Sequence, residues 1–443
     1  MATSSPLENL RTLVRIPTIS RAEVSETDWN PFDRFIETIA ALYPRVHSTL
    51  TREIVDGHTL VFRWVGRSTA DATVLLAHYD VVAATDLGWD HGAFDAHVTG
   101  EGEDETVWGR GTIDNKGAVV AILEAVEAQV AAGQVPASDI YLVFGHDEET
   151  HGTGAASVAR LLEERGIHPA LVLDEGGALV QGFFPGVDRP MAAIGVAEKG
   201  TTVVRLVVDQ HGGHASTPPR MTATVRLARA ILRLNSRPFP SRFNRTTLDL
   251  IHIAGRNATG ALGFAYRNTW LTRGLLKSVF TRRSPEANAM TRTTQAVTVL
   301  EAGHARNALP ERATAVINMR VAVGSSIESA VAHVRRAVND PLVAVELVEG
   351  DEPMPVSPTT GQPWEILRAT VESVYPHVIV APYVQNGATD SRSFTRICSA
   401  IYRFTPFELS QEERDALHAR NERIRSATFL RGIEFYRALC ARL

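Results

Sequence analysis

The stretch Phe144-Gly-His-Asp-Glu-Glu-Thr-His-Gly-Thr-Gly-Ala155 follows an apolar run, 140–144, and precedes residues 156–164, whose apolar side chains recur at helical spacing. The run predicts a buried strand, and the spacing predicts a helix. The three carboxylates Asp147, Glu148 and Glu149 therefore lie at the carboxyl end of a strand, where open α/β sheets place their ligand sites. Because they repel one another, the three alone favour a solvated loop, whereas a nearby cation would offset the repulsion and favour a site.

Further apolar segments also end in acidic or imidazole side chains. They are 73–77 with His78 and Asp80, 107–113 with Asp114, and 169–173 with Asp174 and Glu175. Because parallel strands that alternate with helices end at one edge of a sheet, we expect these groups to converge there. Carboxylates and imidazoles without cysteine predict a zinc site, with manganese and cobalt as alternatives.

Single motifs in these segments have rival interpretations. A lone His78-x-Asp80 pair is more often a structural histidine than a ligand. The glycines around Asp114 could indicate a phosphate loop, but Lys116 precedes its glycine, so the P-loop spacing is not met. A carboxylate also has the wrong charge for cradling phosphate. Only the combination of strand ends indicates a site.

The composition bounds the class of protein. A chain of 443 residues predicts two or three domains, and 44% hydrophobic with 21% charged residues is typical of a soluble globular protein. The net charge of -5 gives no electrostatic case for nucleic acid or an anionic membrane as partner. Two cysteines exclude a disulfide framework, and the sequence lacks a secretory signal and any apolar run of about 18 residues. We therefore expect a cytoplasmic enzyme.

An ordered set of segments resembles the M20 family of zinc-dependent amidohydrolases and peptidases, in the branch of carboxypeptidase S and the N-acyl amino acid synthase/hydrolase enzymes. The segments are His78-Tyr-Asp-Val-Val82, Gly109-Arg-Gly-Thr-Ile-Asp-Asn-Lys-Gly117, Gly145-His-Asp-Glu-Glu149, Asp174-Glu-Gly-Gly177, Gly212-Gly-His-Ala-Ser-Thr-Pro-Pro219, Asn307-Ala-Leu-Pro310, Gly387-Ala-Thr-Asp-Ser-Arg392 and His418-Ala-Arg-Asn-Glu-Arg423. They follow the family's order over nearly the whole chain.

The resemblance implies a site for two divalent metal ions, most often zinc. The implied ligands are Asp114 between the ions, His78 and Glu175 on one ion, and Glu149 and His418 on the other. Asp174 stays an alternative to Glu175. Asp80 would hydrogen-bond His78 and fix its tautomer. The peptide bond after Asp114 is expected to be cis.

The resemblance also implies the catalytic roles. Glu148 would act as the general base on a metal-bridged water, and His214 would donate a hydrogen bond to the oxyanion. Asn307, Arg320 and Arg392 are candidates for binding the substrate carboxylate, since guanidinium groups pair bidentately with carboxylates.

The architecture implied is an α/β catalytic domain with a mixed, mainly parallel sheet flanked by helices, interrupted by an α+β, ferredoxin-like lid. The catalytic domain would comprise residues 1–198 and 351–443, and the lid residues 199–350. Alternating strands at 201–208 and 313–321 and helices at 222–234 and 326–338 support such a lid. Residues 236–290 are rich in Arg, Asn and Thr, and we expect an irregular insertion there.

The function implied is hydrolysis of an amide or peptide bond beside a free carboxylate, as in carboxypeptidases and dipeptidases. An aminoacylase acting on N-acyl amino acids is the alternative. A non-catalytic binding protein on the same scaffold is disfavoured because Glu148 is present, and a serine hydrolase because no G-x-S-x-G motif occurs. The resemblance also allows a homodimer formed through the lid. His146 and His151, which flank the acidic triplet, are interpreted as solvated loop histidines.

Overall fold

The structure, a computed structural model, describes residues 5–443 and divides the chain into two compact units. The first unit contains the described residues up to Val196 together with Ser357–Tyr383 and Thr389–Leu443. The inserted unit contains Ala197–Val356 and Val384–Ala388. The domain boundaries expected near residues 199 and 350 stay a prediction.

The strands are β1 (Thr51–Val55), β2 (Thr59–Trp64), β3 (Ser68–His78), β4 (His97–Thr99), β5 (Thr106–Trp108), β6 (Ser138–Gly145), β7 (Leu171–Asp174), β8 (Ala178–Val180), β9 (Met191–Glu198), β10 (Gly200–Asp209), β11 (Gly213–His214), β12 (Thr294–Ala302), β13 (Ala308–Leu309), β14 (Arg312–Val321), β15 (Ala344–Asp351), β16 (Ile379–Gln385), β17 (Ile401–Arg403) and β18 (Arg423–Arg425).

The helices are α1 (Pro6–Val14), α2 (Asn30–Leu42), α3 (Pro44–Thr49), α4 (Lys116–Ala131), α5 (Gly154–Glu164), α6 (Ala223–Ser236), α7 (Arg245–Asn257), α8 (Gly260–Arg267), α9 (Thr269–Arg283), α10 (Pro285–Ala289), α11 (Ile327–Val338), α12 (Gln362–Val374), α13 (Gln411–Asp415) and α14 (Ser426–Cys440). Within residues 5–443, no helix combines the length and apolar character needed to span a bilayer. The expected cytoplasmic location stays a prediction.

The large sheet of the first unit has the order β1-β2-β6-β3-β7-β17-β9-β16. Strands β6, β3, β7 and β17 are parallel, whereas β1, β2 and β9 pair antiparallel with their neighbours. The second half of β3 is buried throughout, as expected of a strand covered on both faces. The predicted α/β class with a mixed sheet, parallel at its centre, is confirmed.

One part of the expected strand arrangement is wrong. Strands β3, β6 and β7 do end beside one another in the large sheet, but the segment before Asp114 does not belong to that sheet. Its strand β5 pairs with β4 and β18 in a separate three-stranded sheet. The glycine-rich loop after β5 therefore reaches the strand ends from outside the large sheet. Strand β5 itself pairs with β18, which lies more than 300 residues later in the chain.

The inserted unit contains an antiparallel sheet of order β12-β14-β10-β15. Alternate residues of β10 and β14 turn one face of this sheet towards α6 and α11, and together these elements form an apolar core. The core includes Leu206, Leu227, Ile317 and Val334, all at most 1% exposed. The strands and helices predicted for this region are confirmed.

The expectation of an irregular insertion at residues 236–290 is wrong. This segment is mainly helical and forms α7 to α10. Asn244 caps α7 by accepting a hydrogen bond from the Thr247 amide at 2.8 Å, and Ser284 caps α10. Asn244 and Ser284 are thus N-caps, positions at which such residues are favoured.

Two helical glycines provide a matched test of packing near the loop that carries Asp114. A Cβ at Gly117, in the first turn of α4, would lie 2.2 Å from the carbonyl oxygen of Thr112, whereas a Cβ at Gly274 in α9 would meet nothing within 4 Å. Gly117→Ala should reduce local stability by about 1–3 kcal/mol through overpacking. Gly274→Ala should increase it by up to about 1 kcal/mol through helix propensity. Hydrogen exchange of the α4 and α9 amides measures both, and equal effects would contradict the packing.

Candidate active site

The first unit brings acidic and imidazole side chains from five segments into one cluster. His78 ends β3, Glu148 and Glu149 lie in a 3-10 turn after β6, Glu175 follows β7, Asp114 lies in the loop between β5 and α4, and His418 precedes β18. Ligand atoms of His78, Glu148 and Glu175, and separately of His78, Asp114 and Glu149, all lie within 4.8 Å of one another.

Asp114 lies at the centre of this cluster. Its Oδ1 is 3.1 Å from His78 Nε2, and its Oδ2 is 2.8 Å from His418 Nε2. Beyond these imidazoles, His78 Nε2 is 3.5 Å from Glu175 Oε2, and His418 Nε2 is 3.1 Å from Glu149 Oε2. The two oxygens of Asp114 therefore face two separate histidine–glutamate pairs.

Asp80 connects the end of β3 to the acidic turn. Its buried carboxylate lies 3.2 Å from His78 Nδ1 and accepts hydrogen bonds from the amides of Glu148 and Glu149 at 3.3 and 3.1 Å. The Ser20 hydroxyl donates to it at 2.7 Å. Asp80 thus orients an imidazole and the turn that carries both glutamates.

The acidic triplet divides into different environments. Asp147 turns away from the cluster and accepts hydrogen bonds from the Thr153 and Gly154 amides at 2.8 and 3.1 Å, which closes the turn before α5. His151 is exposed, as predicted. The prediction for His146 is wrong: it is buried, 2.7 Å from the Thr59 hydroxyl, because β2 pairs with β6 beside it.

Asp174 and Glu175 also have distinct surroundings. The carboxylate of Asp174 accepts hydrogen bonds from the amides of Glu175 and Ser391, each at 2.8 Å. Glu175 instead faces His78 and accepts a hydrogen bond from the Asn115 side chain. The Asp114–Asn115 peptide is cis, as expected. The geometry therefore favours Glu175 over Asp174 as the cluster member.

Glu422 is a site residue whose role the sequence reasoning missed. One of its oxygens accepts hydrogen bonds from the amides of Gly111, Ile113 and Asp114 at 3.1, 2.8 and 3.1 Å. Its other oxygen pairs with Arg110 Nη1 at 2.7 Å, and both side chains are buried. In the sequence, the only indication of this contact is that a glutamate lies four residues after His418.

Burial and mutual repulsion raise the pKa values of two carboxyl groups in the cluster. Burial raises the pKa of Glu148 well above its ordinary value, and the charges of Glu175, Asp390 and Asp114 add to this, while His78 opposes it. Burial and the charge of Asp114 raise the pKa of Glu175 to about 7. The protein thus concentrates more negative charge here than its own side chains offset.

The carboxylates in turn stabilise the charged form of His418. Hydrogen bonds to Asp114 and Glu149 raise the pKa of His418 to about 10. Burial would raise the pKa of Asp114, but its hydrogen bonds with His418 and His78 lower it below its ordinary range. Within residues 5–443, Glu149 Oε1 is a buried oxygen without a hydrogen-bond partner. This oxygen, the two imidazoles and the crowded carboxylates fit divalent cations.

The remaining predicted site residues lie in both units. In the inserted unit, His214 and Ala308 are paired in the β11–β13 ladder, and the Asn307 carbonyl accepts a hydrogen bond from the Ala215 amide at 3.0 Å. The structure thus brings His214 and Asn307 together, although 93 residues separate them in the chain. Arg320 lies on β14, opposite Thr201. Arg392 lies in the first unit, in the 3-10 segment Asp390–Arg396.

The sequence profile of peptidase family M20/M25/M40 matches residues 74–442. The chain is 36% identical over 427 residues to the probable carboxypeptidase S-like 2 of Dictyostelium discoideum, covering 95% of this chain and 81% of that protein. It is 33% identical over 437 residues to the human N-fatty-acyl-amino acid synthase/hydrolase, covering 97% and 86%. The chain belongs to peptidase family M20/M25/M40, and the resemblance of its motifs to this family is confirmed.

Solved structures show the same fold. An M20 family metallo-carboxypeptidase from Sulfolobus solfataricus superposes with a TM-score of 0.68 at 17% identity, covering 99% of this chain and 98% of that one. Human carnosine dipeptidase 1 gives 0.66 at 14% identity, covering 99% and 95%. With its family, the chain is a hydrolase, so a non-catalytic binding protein is no longer an alternative. The family also implies divalent metal ions.

The buried pair of Arg110 and Glu422 should be much more sensitive to mutation than an exposed pair. Glu422→Gln removes the buried negative charge, so we expect the first unit to lose about 3–5 kcal/mol of stability. Glu53 and Arg165 form an equally short pair of 2.7 Å but are 39% and 41% exposed. Glu53→Gln should therefore cost less than about 1 kcal/mol. Urea unfolding of both variants tests this, and similar losses would contradict it.

Proposed function

We propose that this member of peptidase family M20/M25/M40 hydrolyses an amide or peptide bond beside a free carboxylate, in the manner of a carboxypeptidase or dipeptidase. The observation that supports this most is the arrangement around Asp114, which faces two histidine–glutamate pairs. A further glutamate, Glu148, lies beside this arrangement, with its Oε2 4.0 Å from His78 Nε2. Such a cluster has ligands for two cations and one carboxylate left for proton transfer.

Two divalent ions, most simply zinc with manganese or cobalt as alternatives, would be held by these residues. Asp114 would bind both ions, His78 and Glu175 one of them, and Glu149 and His418 the other. When bound, the ions would supply charge stabilisation for the developing oxyanion and lower the pKa of the attacking water. The imidazoles would have to bind as neutral ligands, with His78 oriented by Asp80 through Nδ1.

Glu148 is the proposed general base. It accepts a proton from the water as the new carbon–oxygen bond forms, and it delivers that proton to the amine nitrogen as the carbon–nitrogen bond breaks. A carboxyl group with a raised pKa suits both steps, because it can hold a proton between them. Its amide is held by Asp80, so its position relative to His78 is determined by the fold.

Four further residues are proposed to orient the substrate. His214 is the proposed donor to the oxyanion, and its Nδ1 accepts a hydrogen bond from the Ser216 amide at 3.1 Å, which leaves Nε2 to donate. Asn307, Arg320 and Arg392 are the proposed partners of the substrate carboxylate. A homodimer formed through the inserted unit is also part of this proposal.

An aminoacylase activity on N-acyl amino acids is the second candidate. It is favoured by the 33% identity to the human N-fatty-acyl-amino acid synthase/hydrolase over 97% of this chain. Peptides with a free carboxyl terminus and N-acyl amino acids share the scissile amide beside a carboxylate. The two candidates therefore use the same reacting groups and differ in what lies on the acyl side of the bond.

Matched glutamine variants separate the roles of the adjacent glutamates. Glu148→Gln should retain bound metal but lower the turnover number about 10²–10⁴-fold, since it removes the proton acceptor. Glu149→Gln should lose metal because it removes a ligand. Metal content by mass spectrometry and turnover of the same samples test both. Full activity in both variants would rule out this mechanism.

A substrate panel decides between the two candidates. We expect hydrolysis of dipeptides or of N-acyl amino acids, assayed with zinc, manganese and cobalt, and no hydrolysis of the corresponding carboxyl-terminal amides. Complete chelation should abolish activity, and adding metal back should restore it. Activity that survives complete chelation would contradict the metal-dependent proposal.

A further inference from the structure

The inserted unit contains a cavity of about 420 Å³, lined mainly by α11 and by the loop residues 239–244, 290–293 and 322–325. This volume is within the range of small-molecule sites, about 300–1,000 Å³. Its polar walls are dominated by cationic side chains: Lys199, Arg242, Arg292, Arg336 and the imidazole of His333. Among the described residues, none of the side chains that line it is acidic. The cavity is therefore strongly cationic in a chain whose net charge is negative.

Lys199 is the buried cation of this cavity. It is 3% exposed, and its Nζ donates to the carbonyl oxygens of Ala289 at 2.5 Å and Arg292 at 3.0 Å. An ammonium has three N–H groups, so one is left for a ligand. Burial, together with the charge of Arg320, lowers its pKa to about 8, and no carboxylate among the described residues opposes this.

Arg292 adds a second cation, which has no counter-ion among the residues that the structure describes. Its side chain is half-buried, and its Nε is a buried donor without a hydrogen-bond partner among residues 5–443. Burial lowers the pKa of its guanidinium, and no acidic neighbour compensates. The Arg292 carbonyl also accepts a hydrogen bond from Lys199, so the backbone of Arg292 lies directly beside the buried ammonium. Leaving buried charges unpaired is costly, and an anion would remove that cost.

Apolar side chains also line the cavity. Phe239, Phe243 and Met290 line the cavity, and Phe239 is stacked on His333 with ring centroids 4.0 Å apart. A ligand that fills the space thus meets both cationic side chains and aromatic rings. This is the pattern of an amphiphilic anion rather than of a free inorganic ion.

We propose that this cavity binds a small organic anion whose carboxylate or phosphate group pairs with Lys199 and Arg292 and whose apolar part contacts Phe239 and Phe243. The site shares no residue with the proposed metal cluster, so it goes beyond the proposed hydrolysis and does not depend on it. Ligand binding there would stabilise the inserted unit by offsetting the charge at its buried lysine.

The probes are phenylacetate for a carboxylate, phenyl phosphate for a phosphate, and phenylacetamide as the neutral control. At constant ionic strength, at least one of the two anions should raise the thermal unfolding midpoint of the wild-type protein, and phenylacetamide should not. Which anion acts tells a carboxylate ligand from a phosphate ligand. If neither anion raises the midpoint, or if phenylacetamide raises it equally, the proposal is wrong.

Lys199→Met localises the effect. Methionine replaces a buried charge with an apolar side chain of similar length, so the variant should fold and lose the anion-induced shift. Lys277→Met is the matched control, because Lys277 does not line the cavity and this variant should keep the shift. A shift that persists in Lys199→Met would overturn the assignment.

Amine labelling of the wild-type protein gives the same test without a variant. The chain has only three lysines, Lys116, Lys199 and Lys277, so acetylation of each can be followed by mass spectrometry. At ten times the Kd, the anion should slow acetylation of Lys199 about tenfold, and that of Lys277 should stay unchanged. Equal acetylation of Lys199 with and without anion would contradict the proposal.

Discussion

The contact between Glu422 and the loop of residues 111–114 is the constraint on which the candidate site depends. One oxygen of the buried Glu422 carboxylate accepts hydrogen bonds from three backbone amides of this loop. The other oxygen of the same carboxylate pairs with Arg110. Because these groups are excluded from water, each hydrogen bond that involves the charge is stronger than at the surface. The loop that carries Asp114 is therefore held next to the segment that carries His418.

The site itself shows why such support is needed. Asp114, Glu148, Glu149 and Glu175 would repel one another if the chain were free to relax. Asp80 holds the turn that carries Glu148 and Glu149 by accepting hydrogen bonds from their amides. Glu175 directly follows β7 of the packed sheet, and Glu422 holds the loop that carries Asp114. The stability of the sheet and of the Glu422 contacts thus holds like charges together, and cations would relieve the remaining repulsion.

Much of the fold followed from local patterns. Apolar runs of strand length and helical spacing predicted the strands β3, β6 and β7 and the helices on either side, since burial on one or two faces leaves a direct mark on the sequence. Less could be predicted for residues 236–290, because Arg, Asn and Thr residues interrupt the apolar period there. The environment of His146 was also misjudged, because its burial depends on Thr59 of a neighbouring strand.

By itself, the sequence determined the class of fold, the order of the acidic and imidazole groups along the chain, and the family to which the chain belongs. Each of these can be recognised from short segments of the sequence. Only the tertiary structure decided how those groups face one another. Asp114 reaches the cluster through contacts with Glu422, 308 residues away, and Lys199 becomes a buried cation because the helices of residues 236–290 supply its carbonyl partner at Ala289. Such pairings depend on which distant surfaces exclude water together, and no local pattern encodes that.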